Sequence, residues 1–440
     1  MTYSWETFGF HIPEILVPAE GTDYYQWATI ACDQYTSEPA YWEAVEALVG
    51  SAPSTLRLML PEIFLGEPDE AERIRRIHET MNTYLTDGTL RALPPGCMLI
   101  RRTVEGRSRL GLLIATDLDR YDFRRGSHAL TRATEETVVE RIPPRLRIRK
   151  DASIEVSHIV VFIDDPEHTV IEPLLHVPQT PVYDADLMMN GGHVRGSFIA
   201  EKDLAGAQEA LSALFDKAVE KYGVDNVMLQ ATGDGNHSLA TAKAHWEELK
   251  KTLSPAEAAV HPARYALIEI QNIHDPAIVF EPIYRVLFGA PGQTGEDLLP
   301  EIVRILDQQN GSARLLADGC DVPEGAFELP FVNETRSGSI LVQDPAGELE
   351  VAVLQDALDV FVREFPGAKV DYIHGAHTVE TLGSQKGNLG FFLPSMDKYR
   401  LFPAVAAGGA LPRKTFSIGK AIEKRYYIEC RRIGAGTSHR

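Results

Sequence analysis

The pattern of apolar and polar positions predicts that helices and strands alternate along the chain. Between about Glu67 and Leu85, apolar residues such as Ile74, Ile77 and Met81 recur every three or four positions. This spacing is typical of an amphipathic helix with one buried face. Similar patterns predict further helices at residues 38–49, 131–141, 201–222, 297–308 and 349–364. The helix at 131–141 is expected to end at Pro143-Pro144, since proline breaks helices.

Runs of apolar and β-branched residues predict strands between these helices. Residues 97–104 and 108–118 are two such runs joined by Glu105-Gly106-Arg107, which is typical of a hairpin. Other strands are predicted at residues 55–60, 158–164, 226–232, 264–270, 279–288, 388–394 and 425–430. Short turns favour antiparallel pairing, so we predict an α/β (α+β) fold with mixed, largely antiparallel sheets and flanking helices.

The length and charge of the chain limit the classes of function. The 440 residues carry a formal net charge of −20, which argues against general nucleic-acid binding. Residues 101–150 nevertheless hold 13 lysines and arginines against 7 acidic residues. This basic region suggests a small anionic metabolite as partner, although charges that only solvate strand faces would give the same pattern. We predict an N-terminal region, 1–180, with this basic segment and a C-terminal region, 181–440.

Other features indicate a cytoplasmic protein. No run of about 18 apolar residues is present to span a membrane, and the N-terminus lacks a signal-peptide pattern. The four cysteines, Cys32, Cys97, Cys320 and Cys430, have no C-x-x-C spacing, so reduced structural thiols are expected. The sequence contains no signal for the oligomeric state.

The sharpest local motif is the segment G-D-G-N-H-S at residues 233–238, between a predicted strand and an Ala-rich predicted helix. Gly233 and Gly235 allow a tight turn that exposes successive backbone N–H groups. Asn236 or Ser238 can cap the helix, whose N-terminus favours an anion such as phosphate. The plain alternative is a strand-to-helix turn with no ligand.

Two side chains of this motif could take part in chemistry. Asp234 could hold a Mg²⁺ ion beside a bound phosphate, because carboxylates and phosphate oxygens are preferred Mg²⁺ ligands. His237 could contact the phosphate or donate a proton. The segment is neither a Walker A loop nor a G-x-G-x-x-G fingerprint.

Three further segments carry candidate residues. In T-R-A-T-E-E at residues 131–136, Arg132 could clamp a phosphate or carboxylate while Glu135 or Glu136 orients a metal or accepts a proton. The alternative is a plain salt bridge between Arg132 and Glu136 on one helix face. Arg413 and Lys414 lie in a proline-containing turn that suits anion contact or plain solvation. Asp33, in C-D-Q-Y-T-S, could be catalytic or could cap the next helix.

These segments resemble the bacterial and archaeal family known as domain of unknown function 1015 (DUF1015). The resemblance rests on PEILVP, WATIACDQYTS, TRATEETVVERIPPR, GDGNHSLATAKAHWE, RYALIEIQNIHDPA, NLGFFLPSMDKYRLFPAV and LPRKTFSIG. It covers the chain from near residue 14 to near residue 430. The family's biochemistry is largely unassigned.

The central motif of that family, D-G-H-H-R, is similar to the D-G-H-x-R signature of ParB/sulfiredoxin-like proteins. That group includes nucleotide hydrolases and a kinase of free serine, and the resemblance implies a fold element of this type. Asp234, Gly235 and His237 match the family motif, whereas Asn236 and Ser238 depart from it. Because the arginine is absent at 238, Arg132 or Arg413 would have to contact the phosphate. Association of the family with genes of phosphorylated serine metabolism suggests a substrate class.

These observations lead to two hypotheses. The first is a phosphotransferase or phosphohydrolase that acts on a small phosphorylated metabolite, with phosphoserine/serine or a nucleotide favoured. Glu135 is then the preferred general base, ahead of Asp33 and Glu136, and Arg132, Arg413 and Lys414 neutralise charge in the transition state. The alternative is a non-catalytic protein that binds or senses a phosphorylated metabolite. A ParB-like nucleic-acid-binding function is disfavoured by the acidic charge and by the lack of interleaved aromatic and basic residues.

Overall fold

The computed structural model describes residues 3–137, 142–290, 292–317, 319–347 and 349–434. Contacts within the chain divide it into two compact units. The first comprises residues 1–279, 399–410 and 418–440, and the second comprises residues 280–398 and 411–417. The boundary near residue 180 that the sequence predicts falls inside the first unit, where residues on both sides of it join one sheet.

The described residues form the following helices and strands. The α-helices are α1 (Tyr24–Trp27), α2 (Pro39–Val49), α3 (Glu70–Thr86), α4 (Ile142–Arg149), α5 (Ala205–Tyr222), α6 (Asn236–Lys250), α7 (Pro255–Val260), α8 (Gly295–Asn310), α9 (Glu350–Glu364), α10 (Ala376–Gly383) and α11 (Leu401–Gly408). The first strands are β1 (Phe10–His11), β2 (Leu16–Pro18), β3 (Thr29–Ile30), β4 (Leu90–Ala92), β5 (Gly96–Val104), β6 (Arg107–Asp117), β7 (Tyr121–Asp122), β8 (Thr131–Ala133), β9 (Ile154–Val156), β10 (Val160–Ile163), β11 (Thr180–Asp186) and β12 (His193–Ala200). The remaining strands are β13 (Gln230–Asp234), β14 (Tyr265–Asn272), β15 (Phe280–Pro282), β16 (Tyr284–Phe288), β17 (Ala313–Leu315), β18 (Phe327–Asn333), β19 (Ser337–Val342), β20 (Lys369–Ile373), β21 (Asn388–Phe391), β22 (Phe416–Ile418), β23 (Tyr426–Tyr427) and β24 (Cys430–Arg432).

A large mixed sheet forms the centre of the first unit. Its strands lie in the order β11-β12-β5-β6-β14-β10-β13-β8-β7, and β1 also pairs with β6. Most pairs are antiparallel, but β10 is parallel to β14, and β8 is parallel to β13 and β7. A small sheet, β4-β2-β24-β9, and the pair β23-β3 complete the unit.

Both faces of the large sheet are buried. Along β5, Met98 and Ile100 belong to one apolar cluster, whereas Cys97 and Leu99 belong to another. Because successive side chains of a strand point to opposite faces, these two clusters lie on opposite sides of the sheet. This explains why the central strands read as continuous apolar runs.

The second unit has its own sheet with the order β17-β19-β18-β21-β16-β20, all antiparallel. The two units together confirm the prediction of a mixed α/β fold with largely antiparallel sheets. The helices predicted at 38–49, 201–222, 297–308 and 349–364, the long amphipathic helix and the β5–β6 hairpin are also present, with bounds shifted by a few residues. None of the helices in the described ranges has the length and apolar character needed to cross a membrane.

Three local predictions are wrong. Residues 131–133 form strand β8 rather than a helix, because they pair in parallel with β13; residues 138–141 of the predicted helix lie outside the described part of the chain. Pro143 and Pro144 do not end a helix but lie in the first turn of α4. Proline is tolerated there because the N–H groups of a first turn have no partner within the helix. Residues 55–60, predicted as a strand, contain only a 3₁₀ turn at Thr55–Arg57.

Gly111 in β6 provides a test of the sheet's packing. A Cβ at this position would lie 2.1 Å from Glu269 Oε1, so the Glu269 side chain occupies the space that a side chain at 111 would need. We expect Gly111→Ala to lower the free energy of unfolding by about 1–3 kcal/mol, as overpacking does. Urea denaturation followed by circular dichroism measures the change.

Gly206→Ala is the matched control. Gly206 lies in α5 with no heavy atom within 4 Å of an added Cβ, so alanine there should leave stability unchanged or raise it by up to about 1 kcal/mol. Equal stability of the Gly111→Ala and wild-type proteins would contradict the close packing of Glu269 on β6.

Candidate functional site

The G-D-G-N-H-S motif forms the bend between β13 and α6 in the first unit. Gly235 adopts the left-handed conformation, with φ 76° and ψ 27°, directly before the first residue of α6. A Cβ at Gly235 would also lie 3.1 Å from the Ile159 Cα atom, so both the backbone angle and the space favour glycine. Apart from Gly235, the residues of the motif are partly exposed. The bend is therefore accessible and is not sealed within the core.

The start of α6 has no side-chain cap among the described residues. The predicted caps, Asn236 and Ser238, both lie inside the helix, whose first backbone bond joins Leu239 N–H to Gly235 C=O at 2.9 Å. The side chain of Asn236 bonds sideways, and its Oδ1 atom accepts from the Thr134 N–H at 3.3 Å. The N–H groups of an uncapped first turn and the helix dipole together favour an anion.

The T-R-A-T-E-E segment lies beside this bend. Because β8 runs parallel to β13, Thr134 follows the end of its strand and its hydroxyl donates to Thr232 C=O at 2.6 Å. Glu135 comes next and is partly buried, whereas Glu136 is exposed with its carboxylate 3.6 Å from Arg125. The structure thus brings two motifs together that are about a hundred residues apart.

Arg132 has a different setting from the one expected of a phosphate clamp. Its side chain is buried, and its guanidinium donates to the carbonyls of Ala129 at 2.9 Å, Asn226 at 2.8 Å and Val227 at 3.3 Å. These contacts give Arg132 a structural task in joining loops. We therefore leave it out of the site.

Lys424 supplies a cation that the sequence analysis missed. Its Nζ atom lies 3.3 Å from Asp234 Oδ2, and its side chain is only 10% exposed. The other carboxylate oxygen of Asp234 accepts the N–H of Gly235 at 3.0 Å. Lys424 comes from the far end of the sequence, and no local pattern indicates it.

A chain of hydrogen bonds leads from the bend to the C-D-Q-Y-T-S segment. Ser238 Oγ lies 3.4 Å from His158 Nε2, and His158 Nδ1 lies 2.8 Å from the hydroxyl of Tyr427. That hydroxyl donates to Cys32 Sγ at 3.2 Å. Burial raises the pKa of the Cys32 thiol and of Tyr427, so neither ionises near neutral pH.

The hydrogen-bonded side chains Ser238, His158, Tyr427 and Cys32 line a cavity of about 130 Å³, measured as the space open to the centre of a water molecule. One water needs roughly 10–15 Å³ by this measure, so the cavity has room for a small metabolite. Leucine, isoleucine and methionine side chains form much of its wall, and the polar residues include Ser238, His158 and the ion pair of Glu62 with Arg145. Burial raises the pKa of Glu62 in spite of its arginine partner.

The other predicted residues have distinct positions. Asp33 follows the cavity-lining Cys32 and accepts from Gln34 Nε2 at 3.0 Å. Arg413 and Lys414 belong to the second unit. There, Arg413 donates to the Tyr372 hydroxyl at 2.6 Å and to Asp359 at 3.1 Å. The site described here is built from the first unit alone.

The residues present do not favour a metal held by the protein. No group of three His, Cys, Asp or Glu residues in the described ranges is arranged to hold an ion. Asp234, the predicted ligand, has its two oxygens engaged by the Gly235 N–H and by Lys424. Binding of Mg²⁺ by Asp234 therefore does not fit these contacts.

Several solved structures are similar to the chain at low identity. A conserved hypothetical protein from Pyrococcus furiosus is 11% identical with a TM-score of 0.36, and 72% of this chain aligns with 90% of it. A free serine kinase in complex with AMP is 13% identical with a TM-score of 0.39, and the shares are 72% and 90%. SbnI with a C-terminal truncation from Staphylococcus aureus is 10% identical with a TM-score of 0.36, and the shares are 70% and 82%.

Comparison with curated proteins gives no match. The model of one protein family, described as "Protein of unknown function (DUF1015)", matches residues 16–404. This range contains the bend before α6, the T-R-A-T-E-E segment and Cys32-Asp33, and it confirms the resemblance seen in the sequence. The chain therefore belongs to the DUF1015 family.

Proposed function

We propose that the protein is a phosphotransferase or phosphohydrolase that binds a small phosphorylated metabolite at the start of α6. The observation that carries this proposal is the accessible, uncapped helix start after Gly235 with the ammonium of Lys424 beside it. Phosphoserine/serine or a nucleotide is the favoured substrate, because the central motif resembles that of proteins acting on such compounds. The helix dipole and the Lys424 ammonium favour an anion at this point, and the ammonium also offsets the negative charge of Asp234.

The contacts suggest how a phosphate would be held. The N–H groups at the start of α6 would donate to phosphate oxygens, while Lys424 shares its charge between Asp234 and the ligand. Asp234 is then a positioning residue that holds the lysine at the bend. His237, in the first turn of α6, would contact the transferring group. Such fixed charges are the main contribution of a protein to phosphoryl transfer.

Proton transfer requires a base near the same point. Glu135 is our first choice, because the preceding residue Thr134 bonds to Asn236 at the bend. Asp33, beside the cavity-lining Cys32, is the second, and the more exposed Glu136 is the third. Any Mg²⁺ would arrive with a nucleotide and be held mainly by its phosphates.

A second function is favoured by one particular contact. The Asp234 carboxylate is already paired with Lys424, so the bend can hold a phosphate without a metal. A non-catalytic protein that binds or senses a phosphorylated metabolite would need nothing more. Turnover measurements separate the two functions.

Lys424→Gln tests whether this lysine contacts the anion. Hydrogen bonds to charged groups contribute about 1.5–3 kcal/mol, so we expect binding of phosphoserine or AMP to weaken roughly 10- to 100-fold. Isothermal titration calorimetry measures the dissociation constant. Lys420→Gln is the control, because Lys420 is exposed and pairs with Glu105 at 2.8 Å; an equal loss in both variants would contradict a specific role for Lys424.

Asp234→Ala tests the bend in catalysis. If Asp234 holds the cation that stabilises the transition state, its removal should slow turnover about 10²- to 10³-fold. The assay uses the purified full chain with phosphoserine, and with serine plus ADP or ATP, with and without Mg²⁺. Asp216→Ala, at an exposed position on α5, is the control.

The outcomes distinguish the alternatives. Equal turnover by Asp234→Ala and the wild type would end the assignment of this site. Binding of phosphoserine or AMP to the wild type without Mg²⁺ and without turnover of any of these compounds would favour the non-catalytic function instead.

A further inference from the structure

Two buried arginines face each other in the large sheet of the first unit, and neither of them has a role in the site proposed at the bend before α6. Arg102 on β5 and Arg109 on β6 are direct cross-strand partners. They are 5% and 8% exposed, respectively. Like charges at opposing positions of neighbouring strands repel one another, and burial strengthens this repulsion.

Neither arginine forms an ion pair with an acidic side chain in the described part of the chain. Arg102 donates from Nη2 to the carbonyl of Ile422 at 3.1 Å, and Arg109 donates from Nη2 to the carbonyl of Glu423. The Nε atoms of both are buried and have no hydrogen-bond partner among the described residues. A buried donor without a partner is costly, so these two N–H groups call for an acceptor.

The surrounding acidic groups are already engaged. Arg425 donates to Glu269 and to Glu429, each at 2.7 Å, and Arg107 pairs with Glu423 at 3.1 Å. The cluster contains four arginines and three glutamates, namely Arg102, Arg107, Arg109, Arg425, Glu269, Glu423 and Glu429. It therefore carries one uncompensated positive charge. The Arg107 side chain is 38% exposed and partly solvated, but Arg102 and Arg109 are buried, and a buried charge without an acidic partner is strongly destabilising unless a counter-ion compensates it.

A small cavity lies at the same place. It measures about 20 Å³ as the space open to the centre of a water molecule, and its lining includes Arg102, Arg109, Glu269, Arg425 and Tyr426. One water needs roughly 10–15 Å³ by this measure, so there is room for one monatomic ion and not for a phosphate or a sulfate. Burial, and then the charge of Arg109, lower the pKa of Arg102 to about 9.

We propose that this cavity binds a single chloride ion between Arg102 and Arg109. The ion would accept the two unpartnered Nε–H groups and balance the excess charge of the cluster. A bound water would satisfy the same donors but would leave the charge uncompensated. The site is thus a structural anion site that is separate from the phosphate site proposed at α6.

Bromide, which replaces chloride and scatters anomalously, provides a direct test. Crystals of the wild-type protein soaked in sodium bromide should show an anomalous peak within hydrogen-bond reach of both Nε atoms. A water-like density without an anomalous signal at this position would overturn the proposal. This measurement needs no substitution and is independent of phosphate binding and turnover.

Thermal unfolding gives a second test in solution. At constant ionic strength, replacement of gluconate by chloride should raise the Tm of the wild type by about 2–4 °C along a single-site saturation curve. Arg102→Gln should lose this rise, whereas Arg101→Gln, at an exposed position of the same strand, should keep it. A wild-type Tm that is the same in both salts, or a rise that persists in Arg102→Gln, would contradict the proposal.

Discussion

The buried guanidinium of Arg425 links the last segment of the chain to the centre of the first unit. It donates to Glu269 on the large sheet and to Glu429 on its own segment, and it also contacts the carbonyl of Ser157. Buried ion pairs stabilise a fold only when every charged group has partners, and loss of one partner costs about 3–5 kcal/mol. These bonds hold residues 424–430 in one position, and the candidate site depends on that position.

The neighbours of Arg425 show why. Lys424 reaches Asp234 at the bend before α6, and Tyr427 bonds to His158 and Cys32 beside the cavity. Three residues within four positions therefore serve the core, the bend and the cavity wall. The fixed C-terminal segment converts a common strand-to-helix turn into a place with a cation and an adjoining cavity. The excess arginine charge close to Arg425 arises from the same dense packing of charged side chains.

Local patterns predicted much of the fold. The spacing of apolar residues correctly predicts the long helix α3, and Glu105-Gly106 correctly predicts the β5–β6 hairpin. Both succeed because a helix and a tight hairpin are formed by residues that are close in sequence. The helix predicted at 131–141 is wrong at residues 131–133, because a local pattern does not show which distant strand a segment pairs with. The spacing of Arg132 and Glu136 suits a helix, but pairing of this segment with β13, about a hundred residues later, outweighs that preference. Pairing between distant strands is invisible to any local pattern.

The sequence by itself determined the family, the mixed α/β class and the glycine-dependent bend, since the left-handed backbone angle at Gly235 is a local conformation that glycine adopts at little cost. Only the tertiary structure decided which charges serve that bend. In the structure Arg132 donates to backbone carbonyls, and Lys424 is the cation that lies beside Asp234. It also joined Ser238, His158 and Tyr427, whose contacts span 80 and 269 residues of sequence. The reason is physical: backbone conformation follows from adjacent residues, whereas the partner of a charged side chain is set by which distant segments the core packs together.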